Sequence, residues 1–538
     1  MTARRLARCA LGIFWTLCIG GGIAGAQDGG RILVMPFENV RREARIFWIT
    51  EAAAVLLTDD LGALGASPIT RQERQQAFER LQVPPAATLT DASVIRIGQL
   101  VGADRVVMGS LQMDDDALVV RARSVTLDTG RVQADVTERG SLLDLYAIFG
   151  RVADRIAPST GRRAERGEGQ PPPIAAFESY IKGLLAETTD TAVGYLRAAL
   201  KLQPSFDRAR LGLWDAYTDA GDYEEAVAAV RSVGADSPYG RHARFLAGLS
   251  LIELKKYDEA FQSFKALADI QPAPPVLNNL GVIELRRGVV TQIDPPTHYF
   301  NQAAQADPDD PDYVFNLGYA SWMDRDTQAA IYWLRETVRR SPADGEAHYV
   351  LGTALAASGN VAEAAREKEL ANRLSSTFAQ WDKRPSAETV PKGLERIKSD
   401  VELPHARRID TRLTSSEQRE QADLARFYLD RARRQYVAEN DRQAAAELNR
   451  ALYLSPYLSE AHLLLGRIHL RSGRVHDAID ALKISLWSAE TPEAHAVLGE
   501  AYRQAKDVGA ARAEAERALA LDPMSAEAKR LIDLLNSR

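Results

Sequence analysis

Apolar positions in this chain follow two regimes. Between residues 31 and 157, short apolar runs alternate with stretches of helical spacing; beyond residue 177 the helical period dominates. Residues 31–36 form a short buried-strand pattern ended by Pro36. Ile49, Ala53, Leu56 and Leu61 lie near helical spacing and predict an amphipathic helix over 46–64, with further helices over 71–81 and 91–100. Three strands are expected over 105–111, 118–126 and 131–137, joined by turns at Asp114-Asp115-Asp116 and Asp128-Thr129-Gly130. A last helix runs from 142 to about 156. The order β-α-α-α-β-β-β-α predicts a small mixed α/β domain.

Within that domain, Val34-Met35-Pro36-Phe37-Glu38-Asn39, Leu56-Leu57-Thr58-Asp59-Asp60-Leu61, Gly102-Ala103-Asp104-Arg105-Val106-Val107-Met108-Gly109-Ser110 and Leu127-Asp128-Thr129-Gly130 occur in order. This set resembles the amino-terminal domain of TolB-like proteins, related to the CsgG and FlgO families of the bacterial envelope, over residues 31–157. The resemblance implies a non-enzymatic module used in assembly or protein contact. Two departures matter: the chain has no lipobox, and it lacks the long amphipathic hairpins that a pore-forming barrel needs.

Residues 158–176 read as a charged, Gly/Pro-rich linker. Beyond it, one position recurs at Tyr180, Trp214, Gly248, Gly281, Gly318 and Gly352, spaced 34, 34, 33, 37 and 34 residues apart, and returns at Ala432, Gly466 and Gly499. A small residue follows twelve later at Ala192, Ala226, Ala260, Ala330, Ala364, Ala444, Ala478 and Ala511. Proline closes several units, at Pro204, Pro238, Pro272, Pro308, Pro342, Pro456 and Pro523. The pattern strongly resembles the tetratricopeptide family: small residues let two helices cross closely, proline stops the second helix, and stacked neighbours bury each unit's apolar face. The expected architecture is multi-domain, a small mixed α/β domain followed by an all-α tetratricopeptide solenoid in two arrays, 177–375 and 421–538, the latter ending in a capping helix. Residues 376–420 interrupt the period with prolines at 385, 391 and 404; they read as a linker or degenerate repeat containing one short helix over 392–402.

Composition adds a compartment. Arg4, Arg5 and Arg8, an apolar run from Cys9 to Ile23 and Ala24-Gly25-Ala26 form a signal peptide over 1–26, which predicts export to the periplasm and a membrane tether only if the signal stays uncut. Cleavage removes both cysteines and three arginines, taking the formal charge from −6 to −9 and leaving no thiol for disulfide, metal or nucleophile. A negative chain gives no reason to expect a nucleic-acid partner. No phosphate-cradling, zinc-protease or nucleophile-elbow motif is present. His462, His469 and His476 lie seven apart, but His348, His462 and His495 share one repeat position and read as structural. The acidic run from Asp307 to Asp312 reads as helix capping, because it lacks the glycine and distal glutamate of a calcium loop. No enzyme, cofactor or metal is expected.

Function is therefore expected on the concave wall lined by the first helix of each repeat. The family register points Phe245, Leu249, Phe315, Tyr319, Trp322 and Tyr349 inward, beside Asn278, Asn279 and Asn316. Asparagine at this position resembles tetratricopeptide grooves that hydrogen-bond an extended peptide's backbone, because one amide offers both donor and acceptor. In the second array Arg426, Arg433, Arg467, Arg471 and Arg503 point inward as a basic groove for acidic tails, or as a solvated face neutralised by Glu460, Glu493 and Glu500. The expectation is an exported adaptor that binds envelope proteins or peptides. The alternative is a periplasmic sensory protein whose TolB-like domain binds a small ligand and whose arrays relay to a partner.

Overall fold

The strand patterns form one mixed sheet. In the computed structural model, which describes residues 30–81, 91–157, 170–288, 295–384, 389–401, 414–455 and 457–536, strands β1 (Ile32–Val34), β2 (Glu38–Asn39), β3 (Arg105–Asp114), β4 (Ala117–Thr126) and β5 (Val132–Ser141) assemble in the order β1-β3-β4-β5, with β2 also on β3. β1 and β2 run parallel to β3, while β3, β4 and β5 form an antiparallel meander. Asp114 pairs with Ala117 across the first hairpin. Between them Asp115 adopts φ 55°, a left-handed conformation that a short polar side chain tolerates.

Side-chain alternation gives the sheet two covered faces. Ile32, Val34, Val107 and Leu111 pack with α1 (Ile49–Ala63) and α4 (Leu145–Ile156). Leu33, Met35 and Val106 pack with α2 (Arg71–Arg80) and α3 (Asp91–Leu100). The first and last helices predicted from sequence each begin with a short 3-10 turn, Ala44–Ile46 and Leu142–Asp144.

Helix pairs follow. Array 1 comprises α5 (Ile174–Leu185) and α6 (Thr189–Leu202), α7 (Asp207–Ala220) and α8 (Tyr223–Arg231), α9 (Gly240–Glu253) and α10 (Tyr257–Ile270), α11 (Pro274–Arg287) and α12 (Pro296–Ala306), α13 (Pro311–Met323) and α14 (Thr327–Arg340), and α15 (Gly345–Ala357) and α16 (Val361–Leu374), closed by α17 (Thr377–Trp381). Array 2 comprises α18 (Thr414–Val437) and α19 (Asp441–Leu454), α20 (Ser459–Arg471) and α21 (Val475–Ser488), and α22 (Pro492–Gln504) and α23 (Val508–Leu521), with α24 (Ala526–Asn536) at the end. Glycine at the crossing is required sterically: a β-carbon on Gly248 would sit 2.6 Å from the Phe264 ring, and one on Gly281 2.7 Å from Phe300. Pro274, Pro311 and Pro492 start their helices, where a missing N–H costs nothing.

The three parts touch. Arg208 of α7 pairs with Asp59 of α1 at 2.6 Å, and Trp48 meets Phe177 of α5 edge-on. Array 2 also reaches the α/β domain, where the Tyr457 ring packs edge-on against Phe47 at 5.8 Å. Glu187, between α5 and α6, accepts the Ser459 N–H at the start of α20 (2.6 Å) and donates its own N–H to the Ser488 carbonyl.

One expectation is corrected here. Residues 392–402 were expected to form a helix; the described part, up to Val401, has none. Gly393 stands at φ 87°, outside the helical region, and the backbone groups of the segment are satisfied by side chains of array 1. The signal segment 1–26 and the prolines at 385 and 404 lie outside the described residues.

Candidate peptide-binding groove

Each first helix of array 1 presents residues two and three positions before its crossing glycine. In α11 these are Asn279 and Asn278; in α13 they are Asn316 and Phe315. All four are fully buried, because residues 389–401 lie along the wall and cover them.

The grip on this segment is addressed to its backbone. Asn316 takes both polar groups of Arg396: its Oδ1 accepts from the Arg396 N–H at 2.7 Å and its Nδ2 donates to the Arg396 carbonyl at 2.8 Å. Asn279, at the same position one repeat earlier, holds Lys398 likewise, at 2.9 and 2.8 Å. Asn278 donates a further bond to the Arg396 carbonyl (2.8 Å), and its Oδ1 accepts from Asn316 (2.8 Å). An amide side chain supplies the donor and acceptor that a neighbouring β-strand would otherwise offer, and residues two apart present their polar groups to the same side. The later repeat holds the earlier residue, so the segment runs antiparallel to the order of the repeats. Nearer its start, Tyr319 donates its hydroxyl to the Pro391 carbonyl at 2.8 Å. Burial, reinforced by the charge of Glu395, pushes that phenol up to about 12, so it stays a donor at neutral pH.

Side chains then select. Arg396 places its guanidinium 3.7 Å from the centre of the Phe315 ring and pairs with Asp312 (2.9 Å) and Asp344 (2.6 Å). Lys398 lies over Tyr313 and pairs with Asp310 (2.7 Å) and Asp312 (2.6 Å). Glu395 accepts from Arg286 at 2.6 Å. Among these groups Arg396, Lys398, Asp310, Asp344 and Glu395 are buried, which makes mutual pairing obligatory. Asp310 and Asp344 also cap α13 and α15 through the Asp312 and Ala347 N–H groups. The acidic turn that reads as helix capping in sequence thus does two jobs.

The nine groove residues expected from sequence divide. Asn278, Asn279, Phe315, Asn316 and Tyr319 meet the segment. Phe245 does not line the wall; its ring packs edge-on into Phe264 of α10, 5.2 Å away, inside its own repeat. Tyr349 is covered at the end of the array by Phe378 and Trp381 of α17 and donates its hydroxyl to Asp382. Leu249 and Trp322 are half-buried among apolar neighbours. The expected open groove is therefore a filled one. Asp310 and Asp344 share a repeat position, 34 residues apart, that marks them as helix caps; that they, Asp312 and Arg286 also pair with a segment is set by the residues opposite.

Array 2 shows no comparable arrangement among its described residues. Arg433 pairs with Asp430 and Glu460, Arg467 with Glu493 and Glu527, Arg471 with Asp441, and Arg503 with Glu500; Arg426 is exposed. Of the two readings of this face, the pairs match the neutralised one at Arg433, Arg467, Arg471 and Arg503, with Glu460, Glu493 and Glu500 among the acids. Of the histidines, His348 bonds Glu367 and the Pro342 carbonyl, and His495 bonds Glu514 and Glu490. Among the described residues no group of His, Cys, Asp or Glu could hold a metal ion, and no helix is long and apolar enough to cross a membrane.

Comparison with known proteins agrees with this architecture. Tetratricopeptide repeat models match residues 184–249, 242–274, 298–344, 334–371, 429–492 and 463–526. No curated protein matches. Among solved structures, PilF of Pseudomonas aeruginosa is 18% identical over 36% of this chain and 89% of its own, with a TM-score of 0.31. MamA of Desulfovibrio magneticus is 17% identical over 32% of this chain and 96% of its own, at 0.29. YrrB, described as a TPR protein with an unusual peptide-binding site, is 15% identical over 34% and 92%, at 0.28. Both helical arrays of this chain are built of tetratricopeptide repeats.

Proposed function

We propose that this chain is an exported, non-enzymatic adaptor of the bacterial envelope that holds partner proteins by extended segments laid along the concave wall of array 1. The carrying observation is the pair of asparagines that hold both backbone groups of residues two apart. Backbone hydrogen bonds supply affinity for any strand, and side-chain pockets supply the choice among strands. The signal pattern over 1–26 supports a periplasmic location. The TolB-like motifs over 31–157 support a second docking module, held against array 1 by the Arg208–Asp59 pair.

The test is site-specific photo-crosslinking in intact cells, with the crosslinker at Glu346 of α15, whose side chain borders the groove at Arg396. A defined envelope protein should be captured by the native chain and lost with Asn279→Leu/Asn316→Leu, while the helical circular-dichroism signal is kept. The mature protein should begin at Gln27 in the periplasmic fraction. Equal capture by the double variant, or a cytoplasmic full-length chain, would contradict the proposal.

A further inference from the structure

The segment in the groove is itself the best description of what the groove binds. It is remote in sequence from its contacts, 80 residues from Asn316 and 119 from Asn279. Its described residues form no helix and pair with no strand. The helix crossings beneath are made within each pair, Gly248 on Phe264, Gly281 on Phe300 and Gly318 on Leu334, while the segment adds Val390 and Val401 to the apolar clusters of the wall. Its attachments are of the kind made to a ligand: amides on the backbone, and pockets for chosen side chains.

Those pockets define a chemistry. Asp310, Asp312 and Asp344 form an acidic row that takes two cations from residues two apart. Phe315 and Tyr313 supply ring faces beneath the same two cations. Arg286 takes an acid immediately before the first cation. Ile397, between the two, packs against apolar side chains of the wall. A strand without cations would leave buried Asp310 and Asp344 without the cations that pair with them, which disfavours it strongly.

Resting on the adaptor reading, we infer that the groove of array 1 is a site for an extended peptide of pattern acid-Arg-apolar-Lys presented by a partner protein, and that residues 390–401 are a resident copy of that pattern which the partner displaces. The resident segment is attached to the chain it occupies, so it competes at an effective concentration on the order of millimolar. Partner binding is accordingly weak until the resident leaves or the partner supplies further contacts.

The experiment uses the full chain and a fluorescent peptide with the sequence of residues 389–402. In the full-length variant Arg396→Glu/Lys398→Glu the resident is repelled by the acidic row while the groove residues stay intact. Anisotropy should show this variant binding the peptide at least tenfold more tightly than the native chain does. A peptide carrying Glu in place of the same Arg and Lys should bind at least a hundredfold more weakly, and adding Asn279→Leu/Asn316→Leu to the emptied chain should abolish binding. A second reading avoids dependence on that variant's folding: millimolar native-sequence peptide added to the unmodified chain should speed amide exchange at residues 390–401. An emptied chain that melts cooperatively yet ignores the peptide, or unchanged exchange in the native chain, would make the segment a fixed part of the fold and overturn the inference. Light scattering that shows the native chain dimerising through exchanged segments would also overturn it, in favour of a second copy as occupant. If the peptide fails but asparagine-dependent capture in cells persists, the adaptor reading survives and this one does not.

Discussion

The two arrays share a scaffold and differ in the middle of the first. Two residues before the crossing glycine, the middle repeats of array 1 carry Asn279 and Asn316, whereas its other glycine repeats carry Leu246 and Val350 and array 2 carries Leu464 and Val497. In array 1 those amides are buried against a strand whose backbone they satisfy; in array 2 the aliphatic side chains are buried in the solenoid core. Charge differs in parallel. Array 1 sets Asp310, Asp312 and Asp344 where the cations of the segment arrive, while array 2 answers its own arginines with its own acids. A tetratricopeptide wall becomes a strand-gripping site through an amide in place of an aliphatic group and acids at the cap turns that face the same line.

The largest expected effect that breaks this difference is at Lys398. Lys398→Met leaves buried Asp310 without its cation and Asp312 with Arg396 alone, and loss of one partner from a buried cluster costs about 3–5 kcal/mol. Chemical denaturation of the full chain should show a loss of that order. Next comes Asn316→Leu, which gives array 1 the chemistry of array 2. The Arg396 N–H and carbonyl lose their shared partner, at about 1–3 kcal/mol. Amide exchange at Arg396 should quicken about ten- to a hundredfold, at 1.4 kcal/mol per factor of ten. In array 2, Arg471→Ala removes a solvent-facing pair with Asp441 and should cost no more than about 1 kcal/mol in the same denaturation assay, less still at high salt.

The smallest effect is the share of the pH dependence that His495 carries in array 2. Burial works against the charged form of His495, but the hydrogen bonds its ring donates to the Glu514 and Glu490 carboxylates outweigh it and raise the imidazole pKa above its ordinary value. A raised folded-state pKa stabilises fully below the unfolded value of about 6.5, and that stabilisation is lost as pH climbs through the folded value. His495 should therefore contribute a slight fall in melting temperature between pH 6 and 8, against the opposite slope of desolvated His469, and His495→Gln should remove that contribution.

Much of the fold was legible because its causes are local. Period-2 and period-3.6 patterns placed β3, β4, β5 and the paired helices, and the 34-residue recurrence placed the crossing glycines. The asparagines were legible as candidate backbone readers through the resemblance to tetratricopeptide grooves, since one amide offers both donor and acceptor. The identity of what they read was not. Leu394, Ile397 and Val401 fall at i, i+3 and i+7, the spacing of a helical face, and so mimic a helix. The deciding partners lie some fifty residues or more away, beyond the reach of local pattern. Phe245 and Tyr349 share the repeat position of Phe315, yet Phe264 and α17 cover them, so register alone does not separate wall from core.

Hydrogen–deuterium exchange on the unmodified full-length chain, resolved to single amides across residues 390–401, tests the account most directly. Strong protection at Arg396 and Lys398, whose N–H groups point to Asn316 and Asn279, with faster exchange at Ser399 beside them, is the predicted result. Exchange of both amides at the rate of an unstructured peptide would contradict it.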